Sequence, residues 1–527
     1  MVYSGSETVK KLQASKGQPL MMTASRTPET SLEEEFVSTT SLHGIARVAN
    51  NTTRTIFRLA WLLIMLVFLG VCVAQITDRL QRFFMYKANT AISVEYVGDL
   101  DFPAVTICNF NRYRMSELTA ADLRTLNYIL DTNDYDYDEY GELSSFSSSW
   151  DSYPLDDDNT SAAFNYTEFT LRAGFVLDDA TLLSCDWRGK NSSCSAANFS
   201  HVFTSFGNCW TFNGGSDGEP ILKEIQSGAG NGLRMMIDIQ QHEYSESLSG
   251  NIEAGLKVLV HDQGTPPMID SQGFAVQPGV HAFVATRKQQ FLNLEPPYGK
   301  CDASRKLTSF TKYTLEGCNI ECRAQRIFEM CNCRLVRHPG TEVECTPKQT
   351  NNCAKDVLSK LKSGELPACE CPVPCNYTSY ITILSTAAIP SQRTAQLLID
   401  QYDELSQYTT NLTSGSASSV SSVGESPQLL DSTYMENNWI VLDVFYENIN
   451  FQLYEQSEAI TSSALISDIG GQLGLFLGAS FITLTEILSY LGRKLGRVLA
   501  RIEPRKTATS PVCEMPAVRE METVKTA

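Results

Sequence analysis

The sequence predicts a membrane protein in which two transmembrane helices bracket a large, disulfide-rich α+β ectodomain. Three observations carry this. Two apolar segments, residues 56–77 and 462–491, are each long enough to cross a bilayer. Fourteen of the sixteen cysteines lie between them, with only Cys72 and Cys513 elsewhere. Both outer flanks are basic, while the intervening portion is acidic.

The flanks set the topology. Arg47, Arg54 and Arg58 stand at the start of the first segment, and Arg493, Lys494, Arg497, Arg501, Arg505 and Lys506 follow the second. By the positive-inside rule both termini, 1–55 and 492–527, are cytoplasmic, and residues 78–461 are extracellular. Arg79 and Arg82 weaken the asymmetry without reversing it. The first segment starts too far into the chain, and lacks the small-residue cleavage site, for a signal peptide. Contact with membrane lipid follows.

The net charge is −18, with +1 in residues 1–55 and +4 in residues 492–527, which leaves −23 for the rest. Such a surface repels nucleic acid and gathers cations. An even number of cysteines outside the membrane reads as a disulfide framework. Zinc is the rival for Cys318-x3-Cys322, Cys331-x-Cys333 and Cys369-x-Cys371-x3-Cys375, but these spacings miss the usual C-x2-C pairs. No metal and no cofactor are expected. Asn159, Asn165, Asn191, Asn198, Asn376 and Asn411 open glycosylation sequons in the same portion; Asn51, on the cytoplasmic side, shows that sequons also arise by chance.

Along the chain, residues 1–40 are polar and read as flexible. Phe102-Pro103-Ala104-Val105-Thr106-Ile107-Cys108 reads as a strand entering a crosslinked core, and residues 116–130 as a helix. Residues 131–158, rich in Tyr, Ser and Asp, read as a solvated surface loop. Short alternating segments at 234–239, 256–261 and 282–285 predict strands, and 228–232 a glycine turn without the Lys-Ser/Thr of a phosphate loop. Helices are expected at 318–328 and 354–361, and a flexible Ser/Gly loop at 414–426. Residues 439–451 alternate as a strand with Asp443 and Glu447 on one face. Six scattered histidines, with no HExxH cluster and no nucleophile elbow, argue against an enzyme.

The second segment carries chemistry. On a helical wheel Asp468, Gly471, Leu475, Gly478, Ile482 and Glu486 share one narrow face. A carboxylate at each end of a small-residue stripe is costly in a membrane unless the stripe lines water, so it predicts a pore wall for cations. Gly470, Gly474 and Gly478 equally form GxxxG steps, which describe a helix-packing face. The glycines also favour a break in the helix.

The His43-Gly44 pair, the 102–109 segment, Cys318-Asn-Ile-Glu-Cys322, Cys331-Asn-Cys333, Gly470-Gly471-Gln472-Leu473-Gly474-Leu475-Phe476 and Gly478-Ala479-Ser480 resemble the degenerin/epithelial sodium channel family. Within it they are most similar to the acid-sensing ion channel branch and its peptide- and bile-acid-gated relatives. The resemblance runs from about His43 to Gly492. It implies a homotrimer or heterotrimer with related subunits, whose ectodomain comprises palm, β-ball, knuckle, finger and thumb. It implies a ligand-gated, sodium-selective, amiloride-sensitive cation channel of the plasma membrane, opened by protons, a peptide or another extracellular agonist. The cysteines alone permit many connectivities. The resemblance implies Cys108–Cys209, Cys185–Cys194, Cys301–Cys375, Cys318–Cys371, Cys322–Cys369, Cys331–Cys353 and Cys333–Cys345, five of them as rungs between paired thumb helices.

Residue roles carry over on the same basis. Asp468 resembles a cation-gathering carboxylate at the outer mouth, and Ser467 a position where bulky side chains hold channels open. Gly471 and Gly474 match the amiloride region, and Gly478-Ala479-Ser480 the selectivity belt, where backbone carbonyls partly replace the hydration shell of sodium. Glu486 matches a lower-pore carboxylate, and His43-Gly44 a gating motif folded against that pore. Tyr86 and Tyr298 match an aromatic gating contact. The sequence departs from the branch at Lys87-Ala88, where paired histidines are frequent, and at Gly264-Thr265, where an acidic pair is expected before Pro266-Pro267. Val94 stands at an expected glutamate, with Glu95 beside it. Asp443, Glu447 and Glu95 remain as candidate proton or cation sensors. The competing class is a non-conducting receptor or adhesion ectodomain merely anchored by its two spans.

Overall fold

A computed structural model describes residues 31–50, 52–119, 122, 164–215, 218, 220–245, 252–413 and 431–502. The acidic loop 131–158, the Ser/Gly loop 414–426, most of the expected helix 116–130, Asn159, the Asn411 side chain and Cys513 lie outside the described residues. The chain forms two compact units, residues 1–85 with 460–527, and residues 86–459.

The first unit is helical. Thr55–Phe84 is one helix of 30 residues, about 45 Å long and so longer than a bilayer core is thick. It continues past the expected end at 77. Ile56, Phe57, Leu63 and Leu66 are all exposed along it, and it is the one described helix that on its own is apolar and long enough to span. The second apolar segment is two helices, Ser462–Leu477 and Phe481–Ile502, which meet at a bend of 78°. Residues 32–39, expected to be flexible, instead form a helix, Leu32–Thr39. Ser31 and Glu34 close a capping box at its start, which satisfies otherwise orphaned amides. Phe36 stacks on Tyr490 at 4.5 Å, and Glu35 and Glu33 pair with Arg493 and Lys494.

The second unit contains strands β1 (Ala88–Tyr96), β2 (Leu100–Asp101), β3 (Ala104–Asn109), β4 (Leu182–Trp187), β5 (Phe199–Thr204), β6 (Gly207–Phe212), β7 (Lys223–Glu224), β8 (Gly232–Asp238), β9 (Leu256–His261), β10 (Phe274–Val276), β11 (Val280–Leu292), β12 (Asn376–Ala388) and β13 (Trp439–Glu458). One sheet has the order β12-β11-β13-β8-β4, with β1 also paired to β13; a second has the order β10-β9-β3-β6-β5, and β2 pairs with β7. Alternation places Leu233, Met235 and Ile237 of β8 with Ile440, Leu442, Val444 and Tyr446 of β13 in one buried cluster. Phe102, Val105 and Ile107 join that cluster from the segment containing β3. Phe102 meets Trp187, Phe212 and Tyr446 edge-on, the geometry that ring quadrupoles favour.

The fourteen cysteines form the seven disulfides implied by the family resemblance. Cys108 and Cys209 face each other directly across β3 and β6. The expectation of five rungs between paired helices needs correction. Cys318 and Cys322, on the helix Leu315–Cys331, bond to Cys371 and Cys369 in a non-helical segment. One helical turn rises about 6 Å, and two residues of non-helical chain reach at most about 7 Å. An i,i+4 pair therefore matches an i,i+2 pair running the other way. Cys331–Cys353 does join that helix to a turn of π-helix, Thr350–Ala354.

The two adjacent rungs, with separations of 53 and 47 residues, divide the chain between Cys301–Cys375 outside them and Cys331–Cys353 inside them into small rings, and either rung alone keeps most of that division. Removing Cys322 and Cys369 together as serines merges two of these rings, about 2 kcal/mol, whereas removing all four cysteines merges all three and costs about 5 kcal/mol. Thermal unfolding of the purified channel should show the fourfold variant losing more than twice the loss of the twofold one; simple additivity would refute the shared-loop account.

Candidate ion pathway and gating residues

The break in the second apolar segment is built from three residues. Gly478 adopts φ +61°, and its N–H donates to the Gly474 carbonyl at 3.0 Å while Ala479 N–H reaches Leu473 at 3.1 Å. This pattern, with a left-handed glycine, ends a helix. Ser480 starts the next one: its hydroxyl accepts from Thr483 N–H at 3.3 Å and its carbonyl from Leu484 N–H at 3.2 Å. The phase of the helix is reset here, so the predicted stripe is continuous only through Asp468, Gly471 and Leu475, and Ile482 and Glu486 belong to a second axis.

The packing alternative for the glycines can be examined within the chain. A Cβ added at Gly470 or Gly471 would meet nothing within 4 Å, and one at Gly474 only the Ala479 carbonyl at 3.9 Å. No neighbouring helix of this chain demands their smallness. Gly478 is different, because a Cβ there would collide with the His43 imidazole. Gly44, at φ +93°, turns the chain where a Cβ would press on Met65 Sδ at 2.8 Å. The N-terminal segment thus brings His43 to the break and not to Glu486.

Glu486 is held by the residues just before His43. Its carboxylate accepts from Ser41 N–H at 2.9 Å and from the Thr40 and Ser41 hydroxyls at 3.2 Å. Ser41 Oγ lies 2.6 Å from the buried Thr483 Oγ1. Asp468, one helix earlier, lies 3.6 Å from Arg79, both side chains being 42% exposed. Pairs this open contribute little stability, but the guanidinium offsets the charge of the carboxylate. Ser467 is exposed beside it. Neither Arg79 nor the Thr40-Ser41 pair stood out in the sequence; the length of the first helix past residue 77 was the missing signal for Arg79.

In the second unit Tyr86 and Tyr298 touch edge to face at 5.4 Å. Burial, then Glu458, pushes the Tyr298 phenol up. Asp443 is 2% exposed, on the face of β13 away from the main core. Gly230, in the turn 228–231, donates its N–H to Oδ2 at 3.0 Å, while Oδ1 has no hydrogen-bond partner. Desolvation raises the pKa of Asp443, with the Gly230 amide and Arg234 on β8 opposing. Glu447 differs: Arg287 of β11 grips it through both guanidinium arms, which pulls its pKa down. Glu95 is exposed and accepts from the Ser93 hydroxyl at 2.8 Å. Near Gly264-Thr265, Asp262 pairs with Lys312. His261 is buried between Thr106 and Thr265, and desolvation pushes its pKa down to about 4. Asn165, Asn191, Asn198 and Asn376 are exposed.

Residues 36–490 match the family described as amiloride-sensitive sodium channel. The chain belongs to that family. It is 34% identical over 493 residues to Acid-sensing ion channel 1C of Danio rerio, covering 90% of this chain and 87% of the relative. It is 36% identical over 472 residues to Acid-sensing ion channel 1 of Gallus gallus, with 87% and 83% covered. It is 35% identical over 464 residues to Acid-sensing ion channel 2 of Homo sapiens, with 86% and 85% covered. The recognition made from the motifs is therefore correct: this is a sodium channel family, its relatives here are acid-sensing ion channels, and none of them is an enzyme.

The contact between His43 and Gly478 makes a direct prediction for this family member. Gly478→Ala adds left-handed strain of about 1 kcal/mol and a collision with the imidazole. His43→Ala in the same chain relieves the collision and leaves the strain. Surface expression and thermal stability of the double variant should exceed those of Gly478→Ala alone; equal defects would show that the ring does not occupy that space.

Proposed function

We propose that this chain forms a sodium-selective, amiloride-sensitive cation channel of the plasma membrane. It acts as a homotrimer or heterotrimer, with the second apolar segments of its subunits around one axis and both termini in the cytoplasm. The broken helix carries the reading. Backbone that leaves the helical ladder at membrane depth is tolerated against protein or water, and Gly478-Ala479-Ser480 is where the ladder stops. In the assembly these three residues form the selectivity belt, where backbone oxygens stand in for water around sodium. Phe481, 82% exposed in the single chain, is covered by lipid or neighbouring subunits. Open space beside Gly470 and Gly471 supports a stripe that faces a lumen instead of a partner helix of the same chain.

Asp468 gathers cations at the outer mouth, with Arg79 as its counterweight and Ser467 beside it, while Gly471 and Gly474 form the amiloride region. Glu486, held by Thr40 and Ser41, fixes the His43-Gly44 gating segment. Voltage-clamp recording of expressing cells tests conduction directly. Asp468→Asn should lower, and Arg79→Gln raise, single-channel conductance, with both effects fading as salt rises above about 0.1 M. Identical conductance in all three proteins at low ionic strength would remove Asp468 from the ion path.

Protons act on this channel through Asp443. Its carboxyl is half satisfied and shifted upward, so it takes up a proton at milder acidity than a solvated aspartate. Glu447 stays ionised under Arg287, Asp262 is neutralised by Lys312, and Lys87-Ala88 supplies no imidazole near the gate. A raised folded-state pKa favours the protonated form, so the conformation in which Asp443 is buried is firmest in acid and weakens as pH rises through that pKa. Stepping expressing cells from about pH 7.4 to roughly 5 should produce a shallow, acid-shifted response or modulation of another agonist. Asp443→Asn, which keeps the acceptor for Gly230, should remove most of that pH dependence. A large, fast current half-activated near neutral pH would overturn this assignment.

A further inference from the structure

The helix Phe481–Ile502 has two unlike faces. At about 100° per residue, Leu484, Leu488, Leu491, Leu495, Val498 and Leu499 fall on one arc roughly 100° wide. All six side chains are between 47% and 60% exposed, so the described chain leaves this stripe largely uncovered. Thr483, Glu486, Tyr490, Arg493 and Lys494 lie on the other side, and there the N-terminal segment docks. Ser41 reaches Glu486 and Thr483, and Phe36 stacks on Tyr490. Glu35 and Glu33 pair with Arg493 and Lys494 at 3.2 and 3.4 Å.

The stripe does not stop where the basic residues begin. Leu495, Val498 and Leu499 continue it past Arg493 and Lys494, beside the exposed Arg497. A span that simply left the membrane at Arg493 would carry these three into water. The bend offers another course. The helix Ser462–Leu477 is about 24 Å long, most of the thickness of a bilayer core. The next helix departs from its direction by 78°. When the first is tilted by an ordinary 20° or so, the second lies closer to the membrane plane than to its normal. An amphipathic helix in that attitude sinks its apolar face among acyl chains and keeps its cations at the headgroups.

We propose that residues 484–499 form an interfacial helix that binds the anionic phospholipid surface of the cytoplasmic leaflet. The leucine stripe enters the acyl boundary, and Arg493, Lys494 and Arg497 reach the headgroups along their flexible stems. Charge complementarity selects this occupant, because neither a neutral bilayer nor another apolar helix would answer three cations. The N-terminal helix Leu32–Thr39 competes for the same groups, since Glu33 and Glu35 already hold Lys494 and Arg493. Both pairs are about half exposed, so exchanging a carboxylate for a lipid headgroup costs little. Cytoplasmic placement of both termini, part of the functional reading above, decides which leaflet is met. Binding itself is independent of that placement and of conduction.

The test uses the purified full-length channel in neutral detergent micelles, with dioleoylphosphatidylserine as the probe. Dioleoylphosphatidylcholine shares its chains, and soluble glycerophosphoserine shares its headgroup. Phosphatidylserine should raise Tm in a saturable way, as a ligand selective for the native state does. Phosphatidylcholine should raise it less, and glycerophosphoserine not at all. Arg493→Gln and Arg497→Gln should each weaken the apparent affinity about fivefold. Glu35→Gln, which releases Arg493, should strengthen it about twofold. Arg493→Gln and Glu35→Gln break the same ion pair, so opposite shifts separate lipid binding from loss of that pair. Leu495→Gln keeps every charge and the helix propensity, and should also bind more weakly. Failure of the cytoplasmic reading shows elsewhere, as an N-terminal epitope tag stained on intact cells. Equal Tm gains from the two phospholipids, wild-type affinity in both arginine variants, or a weaker response in Glu35→Gln would leave the stripe to a neighbouring subunit and overturn the proposal.

Discussion

Strand β13 has hydrogen-bonded neighbours on both edges, and the order of the ectodomain unit follows from that one demand. On one edge β11 runs parallel to it from Val280–Ile440 to Leu292–Glu455. On the other edge β8 accompanies it only to Phe445, and β1 takes over at Asn450. A strand that changes partners in mid-course cannot stay regular. The irregularity falls where expected: pairing to β11 jumps from Thr286–Tyr446 to Lys288–Phe451, so residues 447–450 face Arg287 alone. Bulges of this kind re-aim side chains. Asp443 lies before the irregularity, in the fully paired part, and is buried; Glu447 lies within it and reaches a guanidinium. Two carboxylates four residues apart on one strand are thereby driven in opposite directions, one toward protonation and one away from it.

The helical unit is governed by an equally local constraint. Only a residue that accepts φ near +60° without a Cβ can end the helix Ser462–Leu477 while leaving room for His43. Once Gly478 has done so, Ser480 restarts the chain on a new axis, and Thr483 becomes a shared anchor. Its hydroxyl receives Ser480 N–H at 3.0 Å and lies 2.6 Å from Ser41. The N-terminal segment is tied to the same few residues by Glu486, and farther along by the Phe36–Tyr490 stack. The strain of the break and the docking of the N-terminal segment are thus properties of one cluster.

How much of this was legible in the sequence depends on the range of the interaction. Periodicity found β8, β9, β11, β13 and the helix Leu315–Cys331, since burial on one face writes itself into spacing. Composition misjudged residues 32–39, where Ser31 and Glu34 form a capping box that a count of polar residues hides. The wheel drawn over 464–491 was sound only as far as Gly478, because a periodic argument assumes the very continuity that the glycine interrupts. Partners distant in sequence were out of reach. Nothing near Glu447 announces Arg287, 160 residues earlier, and nothing near Asp468 announces Arg79. The disulfides were recognisable through the family's motifs, not through spacing, for the pairing of an i,i+4 helix step with an i,i+2 loop step becomes intelligible only with both backbones in view.

The charged groups of the ectodomain unit lead to one further step. Gly264-Thr265 carries no carboxylate, and the one next to it, Asp262, is bound by Lys312. Of the remaining candidates Glu447 is neutralised by Arg287 and Glu95 is solvated. Among these candidates only Asp443 combines burial with an oxygen that has no hydrogen-bond partner. Proton sensing by clusters depends on like charges raising one another's pKa, and none of these carboxylates is paired with another carboxylate. A single desolvated acid titrates over a broad range and moves a conformational equilibrium by at most its own shift in proton affinity.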